Sequence, residues 1–151
     1  SMDGARRDDR TVAVALPPNT STRLAGCSRN EWTRAGTCTH GMYALLHAED
    51  GTAVAQHRLF VERFGDLAFV SEPIAATEQD GRVVFECPVF AWGVTLDPGG
   101  QGAVADDVFD LLPGVPYSVP AAGIADAAAS VVCGSEKLLA SRSRKGTGCN
   151  H

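Results

Sequence analysis

Arg82-Val83-Val84-Phe85-Glu86-Cys87, then Phe90-Ala91-Trp92-Gly93-Val94-Thr95-Leu96-Asp97, then Asp106-Asp107-Val108-Phe109-Asp110-Leu111-Leu112-Pro113-Gly114 and Val115-Pro116-Tyr117-Ser118-Val119 form the stretch that decides the fold. The first run alternates, with Val83, Phe85 and Cys87 set against Arg82, Val84 and Glu86. A period of two is the signature of a strand buried on one face. A Gly-rich turn and an apolar anchor at Phe109 and Leu111 join the runs, and no catalytic constellation lies between them. This pattern reads as the edge of a β-sandwich rather than an active site.

Outward from that stretch, further runs follow the same rule. Thr11 to Leu16 is apolar and β-branched and is stopped by Pro17-Pro18-Asn19, because proline has no amide hydrogen to give a ladder. It is expected to be the first strand, with Ser21 to Leu24 as a continuation. Residues 26–41 have no period and read as a loop, with Trp32 available to pack onto a sheet. Met42 to Ala48 and Ala53 to Glu62 flank the turn at Glu49-Asp50-Gly51 and are expected to form a hairpin. On the return strand Ala55, His57, Leu59 and Val61 make the less polar face, which is expected to point at the core. Gln79-Asp80-Gly81 marks a second hairpin. Turn signals at regular intervals, without a long helix between them, predict an all-β protein, an antiparallel β-sandwich. Beyond Pro120 the sequence turns alanine-rich, and Ser135 to Ala140 leaves a short helix or a disordered tail both open.

The chain has 151 residues, enough for one core. Residues 1–10 read as an expression-tag remnant and linker, 11–120 as the sandwich and 121–151 as a C-terminal extension. Ser1 and Met2 are expected to stand outside the fold. The net charge of -5 gives no footprint for nucleic acid, whose phosphates demand clustered Lys and Arg. The basic run Arg142-Ser143-Arg144-Lys145 reads as a solvated tail. No apolar run approaches the ~20 residues that span a bilayer, so no membrane partner is expected. Five cysteines, an odd number without a tight spacing rule, imply no disulfide framework, and Cys87 reads as a small buried hydrophobe.

The residues that could carry chemistry read more simply as structure. Asp106, Asp107, Asp110, Glu49, Asp50, Glu78 and Asp80 are expected in turns, where aspartate supports the local geometry. No Gly-x-Ser-x-Gly nucleophile elbow is present. His47 and His57 are expected to face each other across their hairpin as a hydrogen-bonded pair. Cys38-Thr39-His40 and Cys149-Asn150-His151 together offer two sulfurs and two imidazoles, but their spacing is wrong for zinc, so no metal and no cofactor is expected. Trp32 and Trp92 are the candidate sugar contacts, since sugar faces stack on indole.

Phe64-Gly65-Asp66-Leu67 leading to Pro73-Ile74, then the 90–97 run, then Asp106 to Gly114 resembles the C-terminal immunoglobulin-like domain of β-mannosidase-type family 2 glycoside hydrolases. The likeness covers about residues 11–120. Its most specific part is Val108 to Gly114, with Phe109, Leu111, Pro113 and Gly114 as the structural motif; Ala105-Asp106-Asp107-Val108 stands where the family favours Ser-Asp-Asn-Phe. The resemblance implies an immunoglobulin-like sandwich and a parent enzyme that hydrolyses β-glycosides with two glutamates in a TIM barrel absent from this chain. It therefore implies a noncatalytic accessory domain whose partners are the parent's other domains, with no catalytic residue carried over. Two alternatives stand beside it. One is a carbohydrate-binding module holding an oligosaccharide, which requires Trp32 and Trp92 exposed and coplanar on one face. The other is a protein-interaction sandwich, which requires a large exposed apolar patch.

Overall fold

Asp80 and Gly81 both have positive φ, 52° and 71°, and between them make the two-residue turn that suits the right-handed twist of paired strands. That turn joins β3 (Ala75–Gln79) to β4 (Arg82–Glu86), with Gln79 opposite Arg82. The computed structural model describes residues 1–51, 53–97, 104–124 and 131–145. Within them the chain is β-rich, its strands all in antiparallel sheets, with two short helices. The remaining strands are β1 (Met42–His47), β2 (Ala53–Leu59), β5 (Ala91–Thr95), β6 (Val108–Leu111), β7 (Tyr117–Pro120) and β8 (Val132–Cys133). The helices are α1 (Arg29–Ala35) and α2 (Gly134–Lys145), and a single 3-10 turn covers Phe64–Asp66.

Three sheets result: the β1-β2 hairpin, a three-stranded sheet in the order β3-β4-β7, and a three-stranded sheet in the order β6-β5-β8. The alternation of β4 is realised, with Val83, Phe85 and Cys87 buried while Arg82 and Glu86 are exposed. Those residues meet Val119 of β7, Ala91 and Val94 of β5, Phe109 and Leu111 of β6 and Cys133 of β8 in one cluster fed by both three-stranded sheets. A second cluster lies elsewhere and is aromatic. Leu67, Phe69, Phe90 and Leu112 are buried in it with Met2, while Tyr43, Phe60, Phe64, Trp92 and Leu138 pack against them. Its rings stand 4.9 to 6.2 Å apart between centroids, the range in which edge and offset contacts are favourable.

Several expectations change. Thr11 to Leu16 forms no strand and is exposed throughout, and Ser21 to Leu24 likewise. Propensity alone does not make a strand without a neighbour to complete its ladder. Residues 29–35 are not loop but helix, because Ser28 and Glu31 form a reciprocal capping box. Met2 is 2% exposed and its amide donates to the Thr39 carbonyl at 2.8 Å, so the first residues belong to the fold. Past Pro120 the chain supplies β8, which pairs with β5, and α2, which packs on it. The Gly-rich turn, the alanine run from 125 and Cys149-Asn150-His151 fall on or run into residues outside the described ones.

Candidate functional site: a polar joint at the β5 bulge

Pairing between β5 and β6 shifts between Ala91 and Val94, and Gly93 takes a φ of 60°. A bulge of this kind places an extra residue in one strand and takes amides out of the ladder, and glycine accepts the left-handed backbone without a side-chain clash. A buried amide without a partner costs about 1 to 3 kcal/mol, so the released groups need acceptors. They have two. The Trp92 amide donates to Ser135 Oγ at 2.7 Å, and the Gly93 amide donates to Asp110 Oδ1 at 2.9 Å. Ser135 and Asp110 are the polar residues buried among the described ones, Asp110 being 8% exposed, and both serve this bulge.

Asp110 does more than accept one amide. Its other carboxylate oxygen is ion-paired with the Arg58 guanidinium of β2, and its main-chain carbonyl accepts from Gln56 Nε2 at 3.1 Å. Arg58 also lies 5.4 Å from the centroid of the Phe64 ring, within cation-π range. The inward side of β2 is therefore Gln56 and Arg58, continued by Phe60 just past its end, the reverse of the expected face, and Leu59 is left 53% exposed. A buried carboxylate outweighs aliphatic patterning here, because leaving Asp110 unpaired would cost more than exposing one or two leucines. The correction extends to Asp110 itself, which was expected in a turn and sits in β6.

The motif residues surround this joint. Phe109 and Leu111 point to the first cluster, and Phe109 stacks on Tyr117 at 4.5 Å and tilts against Phe85 at 5.4 Å. Leu112 turns to the second cluster. Pro113 and Gly114 then form a tight turn, in which the Val115 amide donates to the Leu112 carbonyl at 3.0 Å and Gly114 has a φ of 64°. Proline followed by a left-handed glycine is the pairing such a turn favours. The Gly114 amide reaches back to the Cys87 carbonyl at 2.9 Å and ties the turn to the end of β4.

Of the two candidate sugar contacts, Trp32 lies in α1 at 7% exposure, so its indole face is covered. Trp92 lies in β5, half-buried, with Phe64 4.9 Å away and Gly134 so close that a Cβ added there would stand 3.0 Å from its ring. The exposed coplanar pair that a sugar platform requires is not formed. A cavity lined by Val70, Cys87, Val89, Phe90, Cys133 and Ser135 measures ≈ 10 Å³, room for about one water rather than a sugar ring. His57 pairs with Ala44 and His47 with Ala53, so the two imidazoles do not face each other. Among the described residues no group of three or more His, Cys, Asp or Glu is placed to hold a metal, and Cys27, Cys87 and Cys133 are free thiols. Burial pushes the Cys87 thiol up from its ordinary pKa.

The sequence reading missed Arg58, Gln56, Ser135 and Arg142. Arg142, expected in a solvated tail, donates to the Leu67 carbonyl at 2.5 Å, to the Phe64 carbonyl at 3.2 Å and also to Gly65, satisfying the 3-10 turn. The signal that could have found Asp110 is a lone carboxylate inside the apolar run Val108 to Leu112. No protein-family model matches the chain, and no curated protein does.

Proposed function

We propose that this chain is a noncatalytic accessory domain, the C-terminal immunoglobulin-like β-sandwich of a β-mannosidase-type family 2 glycoside hydrolase. The observation that carries the reading is the construction of Val108 to Gly114. Its alternate residues enter one cluster, Leu112 enters the other, and its aspartate holds a bulge and a hairpin at once. A short segment with that many structural duties accounts for a motif without chemistry in it. The sharing of one cluster by the β3-β4-β7 and β6-β5-β8 sheets supports a sandwich, in which two sheets bury their inner faces together. The carboxylate of Asp110 is engaged on both oxygens and so holds elements in place. The domain's role is to pack against its neighbours in the parent enzyme and stabilise their arrangement.

The test is the coding sequence upstream of this chain. The proposal expects a pattern of alternating strands and helices there, of TIM-barrel length, carrying two glutamates at strand ends. An upstream region of any other class overturns it. A second arm assays the chain by itself on a nitrophenyl β-mannoside, where release above the blank would contradict a noncatalytic role.

A further inference from the structure

Residues 36–40 form a joint at which three separate parts of the chain are tied. The Gly36 amide donates to the Trp32 carbonyl at 3.0 Å and so closes α1. The Gly36 carbonyl in turn accepts from the Thr39 and His40 amides, at 3.2 and 3.1 Å, which folds the loop back on itself. Two further carbonyls hold the rest. Cys38 accepts from the Ala68 amide, just past the 3-10 turn, at 2.8 Å, and Thr39 accepts from the Met2 amide at 2.8 Å. The second of these ties accompanies the seating of Met2 in the aromatic cluster.

His40 sits within this joint, half-buried. Its Nδ1 stands 2.9 Å from Thr39 Oγ1, and the Thr39 hydroxyl spends its hydrogen on the Gly36 carbonyl at 3.2 Å. The hydroxyl oxygen is therefore an acceptor towards the ring, and Nδ1 carries the proton of the neutral imidazole. Nε2 is left as a bare lone pair, buried, with no hydrogen-bond partner among the described residues. A bare acceptor is tolerated there more easily than a second proton, which puts a charge and an unmatched donor in the same buried place.

The charges that act most on the ring come from the N-terminal segment. Burial is the largest influence and disfavours the imidazolium, and the Ser1 amino group and Arg7 oppose it further. The Gly36 carbonyl and the Asp3 carboxylate favour it but are outweighed, so the imidazole is held below its ordinary pKa.

We propose that His40 is a proton-operated latch: its neutral ring keeps the joint shut, and protonation opens it and releases the Met2 and Ala68 amides together. The sign follows from which state takes up the proton. An opened loop binds it near pH ~6.5, whereas the closed loop resists it to lower pH. The latch is therefore fully held above pH ~6.5 and weakens as the pH falls below that value. This inference rests on the joint alone and is independent of the glycosidase assignment.

Amide exchange on the full chain, followed by NMR and expressed as protection relative to free-chain rates at each pH, tests it. Between about pH 7 and about pH 5 the Met2 and Ala68 amides are expected to lose at least about threefold in protection, with β4 unchanged. His40→Asn keeps an amide nitrogen where Nδ1 stands and does not titrate, so it should abolish that dependence. In the unsubstituted chain the ring itself should titrate with a midpoint below ~6.5. Protection of the two amides that stays constant across this range overturns the proposal, as does a ring midpoint at or above ~6.5. So does a dependence that survives His40→Asn, which assigns it to the Ser1 amino group.

Discussion

The cluster fed by the two three-stranded sheets and the aromatic cluster that takes in Tyr43 and Phe60 are assembled by different means. In the first, alternation along β4, β6 and β7, with β5 re-aimed by its bulge, delivers Val83, Phe85, Val94, Phe109, Leu111 and Val119 to a shared interior. In the second, single side chains arrive from elements far apart in the chain: Met2 from the terminus, Tyr43 and Phe60 from the hairpin region, Phe64 from the 3-10 turn and Leu138 from α2. Periodicity builds the first region, while polar fasteners hold the second in place. Those fasteners are Asp110 on β2, Ser135 on β5 and Arg142 on the 3-10 turn. The contrast teaches that a β-rich chain can carry a sheet core set by pattern together with an annex set by a few buried hydrogen bonds.

Substitutions should separate the two regions, the largest effect coming from the first. Phe85→Ala removes a fully buried ring and is expected to cost about 3 to 5 kcal/mol, lowering the urea midpoint for the whole molecule at once. A loss confined to one part would break the picture of a single sheet core. Asp110→Ala strips the Gly93 amide and the Arg58 guanidinium of their acceptor together, with an expected loss of about 3 kcal/mol. Asp110→Asn keeps an acceptor for the amide and loses the charge, so about 1 to 2 kcal/mol should go in the same denaturation experiment. Equal losses for the two variants would show that the ion pair, not the bulge, carries the effect.

Arg142→Ala should cost about 1 to 2 kcal/mol by removing the guanidinium donor shared by the carbonyls of Phe64, Gly65 and Leu67, although the first and last keep the amides of Leu67 and Phe69. Its signature is local, a faster exchange of amides in the 3-10 turn and α2 while β3 and β4 hold. The smallest effect is a pH slope. Burial, with the hydrogen bond from the Tyr117 hydroxyl to Asp106, pushes the Tyr117 phenol up to about 12. An unfolded tyrosine ionises near 10, so above that pH the unfolded chain releases a proton that the folded chain retains. Stability from this group is complete below pH ~10 and is lost as pH rises towards ~12. Tyr117→Phe should flatten that slope in urea midpoints taken across the alkaline range.

The sheet core was the legible region. Arg82 to Cys87 alternates without interruption, and Asp80-Gly81 names its own turn, so the β3-β4 hairpin and the inward face of β4 follow from local pattern. The annex was not legible, because its determinants are pairings between distant residues. Arg58 and Asp110 are 52 positions apart by their numbers, and neither carries a local sign of the other. Patterning therefore assigned the wrong face of β2, and Asp110 to a turn. Trp32 shows the same limit: the capping box of Ser28 and Glu31 was present in the sequence, yet the surrounding polar residues masked a helix of two turns. Thr11 to Leu16 went the other way, with strand propensity that finds no ladder in the described arrangement.

The central claim is that Asp110 joins the hairpin to the sheet core through the β5 bulge. Hydrogen-deuterium exchange on Asp110→Asn, measured beside the unsubstituted chain, addresses it most directly. The account predicts that amides of β1 and β2 lose protection by at least about tenfold while those of β4 and β7 keep theirs. Unchanged hairpin protection, or a uniform loss across all strands, would contradict it.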